Sequence, residues 1–441
     1  MRLQRHAAGV VAVCLGAVFA ASAVGQTLEP SLQLTPRSAA AEALRANPDL
    51  RAAYQAIEVA RGRLVQAGLW PNPELDLAGR DDFAFEGEGE RGASVELAQP
   101  FPIAGRLARA RDLALVDVAI ALAEVREFER DLIGEVQGSV VALLALDRAI
   151  SDQSRVIEAA GKLAVASEAR FRAAEVSEAD VNLLQIELAR FEQDLRLLEL
   201  EHRTEELRLN QLLDRPPEAE VPLAGDLQAS HLEVRAGLEE DAMRRRPDLQ
   251  RLRLEQDRAG AEARLARAEA WEDWTIGVGY DFDRQVFAGE PPIDPIGVKR
   301  DDFLGLSLTV PLPVFDRNQG RIAAARAEER RAGARIAGRR RAIEREVGTA
   351  LGRVEELARV MEEYRDRIVP RTTRNVSLLE RGYREGLVGI AELVQAEQQY
   401  ADAAVRYART LGELRQAEVA LETASAASPL LDPDRSKGVQ P

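Results

Sequence analysis

Cysteine is almost absent from this 441-residue chain, and the one thiol is Cys14. It lies in an N-terminal stretch where Arg2, Arg5 and His6 precede an apolar run from Ala7 to Ala21, followed by Ala21-Ser22-Ala23. That order reads as a secretory signal peptide over residues 1–23, which leaves a mature chain without disulfides. Val13 is a poor residue before a lipidated cysteine, so Cys14 is not expected to be acylated. The apolar run is too short to serve as a membrane-spanning helix, and no longer one follows. Histidine and methionine are scarce too: beyond the leader remain His202, His231, Met243 and Met361. No Cys/His spacing suggests a metal site, and no cofactor is implied. Phosphate-binding glycine loops, G-x-S-x-G and H-E-x-x-H are missing, so the chain is not expected to be an enzyme. Net charge is −15, and about −17 once Arg2 and Arg5 are removed, which argues against nucleic acid as a partner. Aromatics make up 5% and no Gly/Ser/Pro-rich linker divides the chain, a composition that suits long helices.

What is present is a duplication. Asn47-Pro48-Asp49-Leu50 recurs as Arg246-Pro247-Asp248-Leu249, about 200 residues later. Pro100-Phe101-Pro102 and Arg106 recur as Pro311-Leu312-Pro313 and Arg317, and Phe171, Asp180 and Val181 as Tyr383, Glu392 and Leu393, at an offset of about 212. Each copy opens with a helix, of which Pro48 to Gly68 is the first, with proline in its first turn. Alternating segments follow at about 74–82 and 91–99, and again at about 274–284 and 302–311. In the second copy Ile276, Val278, Tyr280 and Phe282, then Leu304, Leu306, Leu308 and Val310, mark one apolar face.

Long helices come next. From Leu107 to Ile150 apolar residues recur about every 3.6 positions, the α-helical period. No proline interrupts residues 103–215, and Ser177 is placed to cap a second helix. The expected helical pairs span about 104–172 with 178–213, and 318–384 with 389–423. The longest would reach ~100 Å. The boundaries that follow are a signal peptide 1–23, a first repeat 24–214, a linker 215–238, a second repeat 239–424 and a tail 425–441.

An exported chain without a spanning helix can enter only the outer membrane, as a closed barrel. Four strands leave open edges, so several protomers must contribute. Trp70, Trp271 and Trp274 all precede or open a strand, where an interfacial aromatic girdle belongs. Charge-rich stretches such as Glu239-Glu240, Glu355-Glu356 and Arg339-Arg340-Arg341 read as solvated helix faces.

The two-copy layout resembles the TolC family of outer membrane efflux proteins over about residues 38–425. The resemblance rests on Asn47-Pro48-Asp49-Leu50, the Trp70-Pro71-Asn72-Pro73 entry, the strand exits before Gly105-Arg106 and Asn318-Gln319-Gly320, and the two turns. Within the family, Pro311 to Gly320 is most similar to the CzcC branch, which serves pumps for divalent heavy-metal cations. Its plain reading is structural: the prolines end a strand, Asp316 or Asn318 caps a helix, and Gly320 allows close packing. The resemblance implies a mainly α fold with a membrane β-barrel. It implies a homotrimer with twelve barrel strands and an α-helical tunnel across the periplasm. Its partners would be a periplasmic adaptor (membrane fusion protein), an inner-membrane RND pump and outer membrane lipid.

The same resemblance implies a periplasmic gate at the two helical turns. The position matched by Asp180 carries an aspartate ring, Tyr383 matches a latching tyrosine, and Glu392 is the second-copy counterpart of Asp180. Ala174 stands in place of the usual glycine, and Val388 where some relatives carry a latching arginine. Arg172 and Arg384, close by in sequence, are the candidate latches. Phe171, Ala174, Gly386, Leu387 and Val388 would form the adaptor-contact turns. Drug efflux and type I secretion are alternatives within the family; a periplasmic adaptor or a structural coiled coil is the alternative outside it.

Overall fold

The computed structural model describes residues 33–82, 89–225, 227, 237–287, 297–428 and 430. The expected signal peptide with Cys14, His231, part of the linker and most of the tail lie outside the described residues.

Each half begins with a pair of helices: α1 (Pro36–Ala46) and α2 (Pro48–Ala67), then α5 (Leu238–Arg245) and α6 (Pro247–Ala268). Thr35 starts α1 with a reciprocal capping box to Ser38. Asn47 starts α2 by accepting from the Leu50 N–H, and its Nδ2 donates to the Leu212 carbonyl. Arg246, its counterpart, donates from Nη1 to the Ala424 carbonyl. The recurring Pro-Asp-Leu thus marks where each short helix is tied to the end of a long one.

The strands β1 (Glu74–Asp81), β2 (Arg91–Phe101), β3 (Trp274–Phe287) and β4 (Gly297–Thr309) form one antiparallel sheet in that order. The two halves join at β2–β3, where Phe101 registers with Trp274. Leu77, Val95, Tyr280 and Leu304 fall in one row, and Leu75, Leu97, Val278 and Leu306 in the next. Alternation puts these rows on one face, and all these side chains are exposed. Ser307 donates to Glu96 across the opposite face. Among the described residues β1 and β4 each pair on one side only. β4 starts at Gly297, ahead of the expected 302, because Lys299 and Arg300 extend the ladder opposite Gln285 and Arg284 without alternating in polarity.

Beyond the sheet run α3 (Arg106–Arg172) and α4 (Glu178–Leu212), then α7 (Gln319–Glu363), α8 (Val369–Arg384) and α9 (Ile390–Ser425). At 67 residues α3 is ~100 Å long. The second long helix is not continuous over 318–384. Tyr364–Ile368 form a π-helical turn between α7 and α8. Pro370 explains it: proline lacks an N–H and its ring clashes with the carbonyl four residues back, so the helix widens by one residue there.

α3 packs against α2 and α4 and against α6 and α9; α7 packs against α6 and α9, and α8 against α9. The result is a layer with α2 and α4 along one edge and α7 and α8 along the other. Small residues allow the close approach. A Cβ on Gly412 of α9 would stand 2.5 Å from the Ala145 Cβ of α3. The core is a string of small clusters. One gathers Ala39, Ala40 and Ala43 of α1 on Val136, Val140 and Leu143 of α3; another gathers Ile343, Val347, Leu411 and Leu414. No helix among the described residues is long and apolar enough to cross a membrane.

Two local expectations are corrected. Arg339 is not a solvated face: it pairs with the buried Asp248 at 2.6 Å and with Glu346 at 2.9 Å. In the strand-to-helix junction neither Asp316 nor Asn318 caps α7 with its side chain. Asn318 sits at the N-cap with φ 56° and no side-chain cap bond; its Nδ2 donates to the Ala266 carbonyl of α6. Asp316 instead accepts from the Asn318 N–H. A Cβ on Gly320 would meet nothing within 4 Å, so close packing within the protomer does not account for the glycine.

Candidate periplasmic tip and membrane rim

The two long hairpins turn at the same end of the molecule, and both turns are built alike. In the first, the Ala174 N–H donates to the Phe171 carbonyl and the Glu175 N–H to the Arg170 carbonyl. In the second, Gly386 donates to Tyr383 and Leu387 to Gly382. This is the Schellman arrangement, which needs a left-handed residue just after the helix. Gly386 adopts φ 70° without cost, whereas Ala174 is held at φ 61°.

Ser177 then starts α4. Its Oγ accepts from the Asp180 N–H, while Asp180 Oδ2 accepts from the Ser177 N–H at 3.0 Å and from its hydroxyl at 2.8 Å. Asp180 is therefore a capping residue of α4, half-buried, with its Oδ1 left over. Glu392 occupies the matching first turn of α9, exposed, behind Gly389, which has no side chain to cap with.

Tyr383 is buried at 6% exposure among Leu184, Ile390, Leu393 and Val394, and among the described residues its hydroxyl has no hydrogen-bond partner. The candidate latches do not reach it. Arg172 pairs with Glu168 one turn back at 2.5 Å, and Arg384 donates to the Glu380 carbonyl of its own helix. Neither meets Asp180. The residue that links the hairpins is Arg170. Its guanidinium lies 4.9 Å from the Tyr383 ring centroid, donates to the Tyr383 carbonyl at 3.4 Å and pairs with Glu175 at 3.1 Å. Sequence proximity favoured Arg172; but two residues turn the helix by about 200°, so Arg170 and Arg172 lie on opposite faces.

Of the turn residues, Leu387 stands out at 74% exposure and Phe171 is also exposed. Val388 faces inward, packed with the tip cluster and close to Gly382.

At the other end of the helices the tryptophans gather at one rim of the sheet. Trp70, Trp271 and Trp274 are all exposed, and Trp70 meets Phe101 edge-on at 5.9 Å. Arg106 of α3 pairs with Asp273 at 2.6 Å, which pins the start of the long helix to the start of β3. Among the described residues no group of three or more His, Cys, Asp or Glu is placed to hold a metal ion.

The heaviest electrostatic feature lies midway along the helices. Asp248 is buried with Arg246 at 2.8 Å, Arg339 at 2.6 Å and Arg130 at 3.7 Å. Burial alone would raise its pKa, but the guanidiniums outweigh it and hold the carboxyl down at about 2.

The sequence matches the outer membrane efflux protein family over residues 39–215 and 238–427. The chain belongs to this family. It is thus an outer membrane efflux channel protein, with its helical tunnel in the periplasm. It is 23% identical over 414 residues to the cobalt-zinc-cadmium resistance protein CzcC of Cupriavidus metallidurans (strain ATCC 43123 / DSM 2839 / NBRC 102507 / CH34), covering 92% of this chain and 91% of that protein. Among solved structures the fold is similar to CusC, with a TM-score of 0.74 at 16% identity over 89% of this chain and 92% of that one. It is also similar to the CmeC outer membrane channel of Campylobacter jejuni, with a TM-score of 0.72 at 14% identity over 92% of this chain and 88% of that one. These likenesses establish the barrel-and-tunnel fold.

Proposed function

We propose that this outer membrane efflux protein is the exit duct of a tripartite RND-type system and that its cargo is divalent heavy-metal cations. It acts as a homotrimer with a periplasmic adaptor and an inner-membrane pump. The observation that carries the cargo is the CzcC relative, matched over nine-tenths of both chains. The trimer is supported by the unpaired outer sides of β1 and β4, which three copies would close into twelve strands. Exposed Ile186, Leu197 and Leu200 along α4, at the edge of the helical layer, supply apolar surface for the neighbouring copy. No tight metal site is needed, since a ligand that held the ion would slow its exit.

The gate is assigned to the two turns. In a trimer three copies of Asp180 and Glu392 surround one axis and repel, so the tip needs a counteracting tie. Arg170 over Tyr383 supplies one. Leu387 and Phe171, exposed at the turns, form the surface for the adaptor's helical tips. Deletion of the gene should sensitise the host to cobalt, zinc, cadmium, copper or silver and leave lipophilic drugs unaffected. Sensitivity to drugs alone would assign the chain to drug efflux. Detergent-solubilised mass should be three times that of the mature chain; a monodisperse folded monomer would refute the assembly.

A further inference from the structure

The two tip hairpins are copies, and each buries one glutamate on its returning helix, Glu187 in α4 and Glu397 in α9; they differ in how that charge is met. Glu397 of α9 is 6% exposed and, among the described residues, has neither a hydrogen bond nor an ion pair from its side chain. At the tip offset the matching position in α4 is Gln185, neutral and exposed, and the buried acid of α4 is Glu187. Across from Glu397, on α8, stands Glu380, half-buried. Its counterpart in α3 is Glu168, whose carboxylate is neutralised by Arg172. Arg384 holds the place of Arg172 in the second copy but spends its Nε on the Glu380 backbone carbonyl. The first hairpin thus pairs both its glutamates, Glu168 with Arg172 and Glu187 with Arg190, whereas among the described residues neither Glu380 nor Glu397 of the second is in an ion pair.

The neighbouring turns offer no relief. On α3 Lys162 is bound to Glu158, on α4 Glu187 to Arg190, and at the tip Arg170 to Glu175. Around Glu397 the hairpin is otherwise apolar: Leu393 and Val394 lie below it, and Ala401 with Val156, Ala160 and Phe191 above.

The mechanical setting favours movement. α8 is short, it packs on α9, and the π-helical turn at Tyr364–Ile368 separates it from α7. Widened turns of this kind are places where a helix bends. Past the far end of α8 the tip is held by the turn, by the small apolar cluster around Tyr383 and by the Arg170 contact at Tyr383.

We propose that Glu397 and Glu380 form a pH-responsive clasp on the second tip hairpin: with Glu397 neutral α8 stays seated on α9, and with Glu397 ionised α8 swings off about the π-helical turn and loosens the gate. Burial, and secondarily the Glu380 charge, push the Glu397 carboxyl up to about 7. A pKa raised in the seated state means that this state holds the proton more tightly. Seating is therefore favoured at low pH and is lost as pH rises from the ordinary carboxylate range toward about 7. Within that window each pH unit shifts the equilibrium up to about tenfold per protomer. The clasp acts on the gate assigned above and so rests on that reading.

The test uses the full-length purified trimer, with Glu397→Gln as the isosteric variant that reproduces Gln185. Amide exchange of residues 369–384, corrected for intrinsic rates and referenced to α4, is followed from about pH 5.5 to about pH 8. The wild type should lose protection as pH rises toward neutrality. Glu397→Gln should stay protected throughout, and Glu380→Gln should shift the wild-type transition to lower pH. A second readout is conductance in planar bilayers, with pH varied on the tunnel side: it should rise with pH in the wild type and remain low in Glu397→Gln. Identical exchange profiles in wild type and Glu397→Gln overturn the clasp. Loss of conductance in every variant, with the exchange pattern as expected, overturns the channel assignment of the tip and leaves the clasp standing.

Discussion

Arg170→Ala should open the tip, and the structure allows the size of the effect to be worked out. The guanidinium makes three contacts. Stacking over Tyr383 at 4.9 Å is worth about 0.5–1 kcal/mol at a partly exposed site. The bond to the Tyr383 carbonyl, long at 3.4 Å, adds about 0.5–1 kcal/mol. The pair with Glu175 is solvated and stays within its own turn, so it contributes little to holding the hairpins together. The tie is then about 1–2 kcal/mol per protomer, and about 3–6 kcal/mol if three copies release together. At about 1.4 kcal/mol per tenfold, the open population should rise by two to four orders of magnitude.

Planar-bilayer conductance of the purified trimer reads that population. Arg172→Ala is the control, because Arg172 is bound to Glu168 on its own helix and should change little. A double-mutant cycle with Tyr383→Ala isolates the ring contact, since the Tyr383 carbonyl survives that substitution. Coupling of about 0.5–1 kcal/mol per protomer is expected. The reasoning is refuted if Arg172→Ala opens the tip as much as Arg170→Ala, or if the cycle shows no coupling.

Ala174→Gly should stabilise the end of α3. It relieves about 1–2 kcal/mol of left-handed strain and returns about 0.4–1 kcal/mol through the looser unfolded chain, so slower amide exchange around residues 170–176 is expected. Asp180→Asn and Asp180→Ala separate two roles: asparagine keeps an oxygen acceptor for the Ser177 cap and removes the charge, whereas alanine removes both. Loss of cation preference in both variants, with α4 fraying only in the alanine variant, places Asp180 in the gate; unchanged selectivity in both leaves it as a cap. Asp248→Asn strips the buried Arg246 of its main counter-charge and should cost about 3–5 kcal/mol in denaturant unfolding. The wild-type contribution of Asp248, whose pKa is depressed in the folded state, is present above about pH 4 and should be lost as pH falls toward 2.

The fold class was legible because both periods are physical consequences of burial. A helix ~100 Å long must repeat its apolar side every 3.6 residues or so, and a half-exposed strand must alternate. Where a residue's role does not depend on burial, the pattern is silent. Lys299 and Arg300 lie in β4 through their backbone pairing, with no apolar side to mark them. Arg339 reads as one of three surface arginines because its partner, Asp248, is 91 positions away in sequence.

The tip shows the same division. The sequence located its turns, because Ser177 and Gly386 are helix-end signals. It did not reveal which arginine bridges them, since that contact joins chain positions more than 200 apart, with |i−j| of 213. The face of the helix could still have decided between candidates. A side chain must leave α3 on the side facing α8 and α9 to reach Tyr383. Leu163, Ala164 and Ser167 already mark the buried side, and Arg170 continues it by a step of three where Arg172 does not. Reading the last buried step of each helix toward its turn, rather than distance from the turn, is what selects the tie. The same rule applied to α9 runs from Ile390 through Leu393, Val394 and Glu397 to Ala401. Each copy carries one acid in that apolar row, Glu187 in α4 and Glu397 in α9; the second copy departs from the first in leaving its acid without the arginine that Glu187 has in Arg190, so the state that buries Glu397 favours its neutral form and a state that exposes it favours the charge.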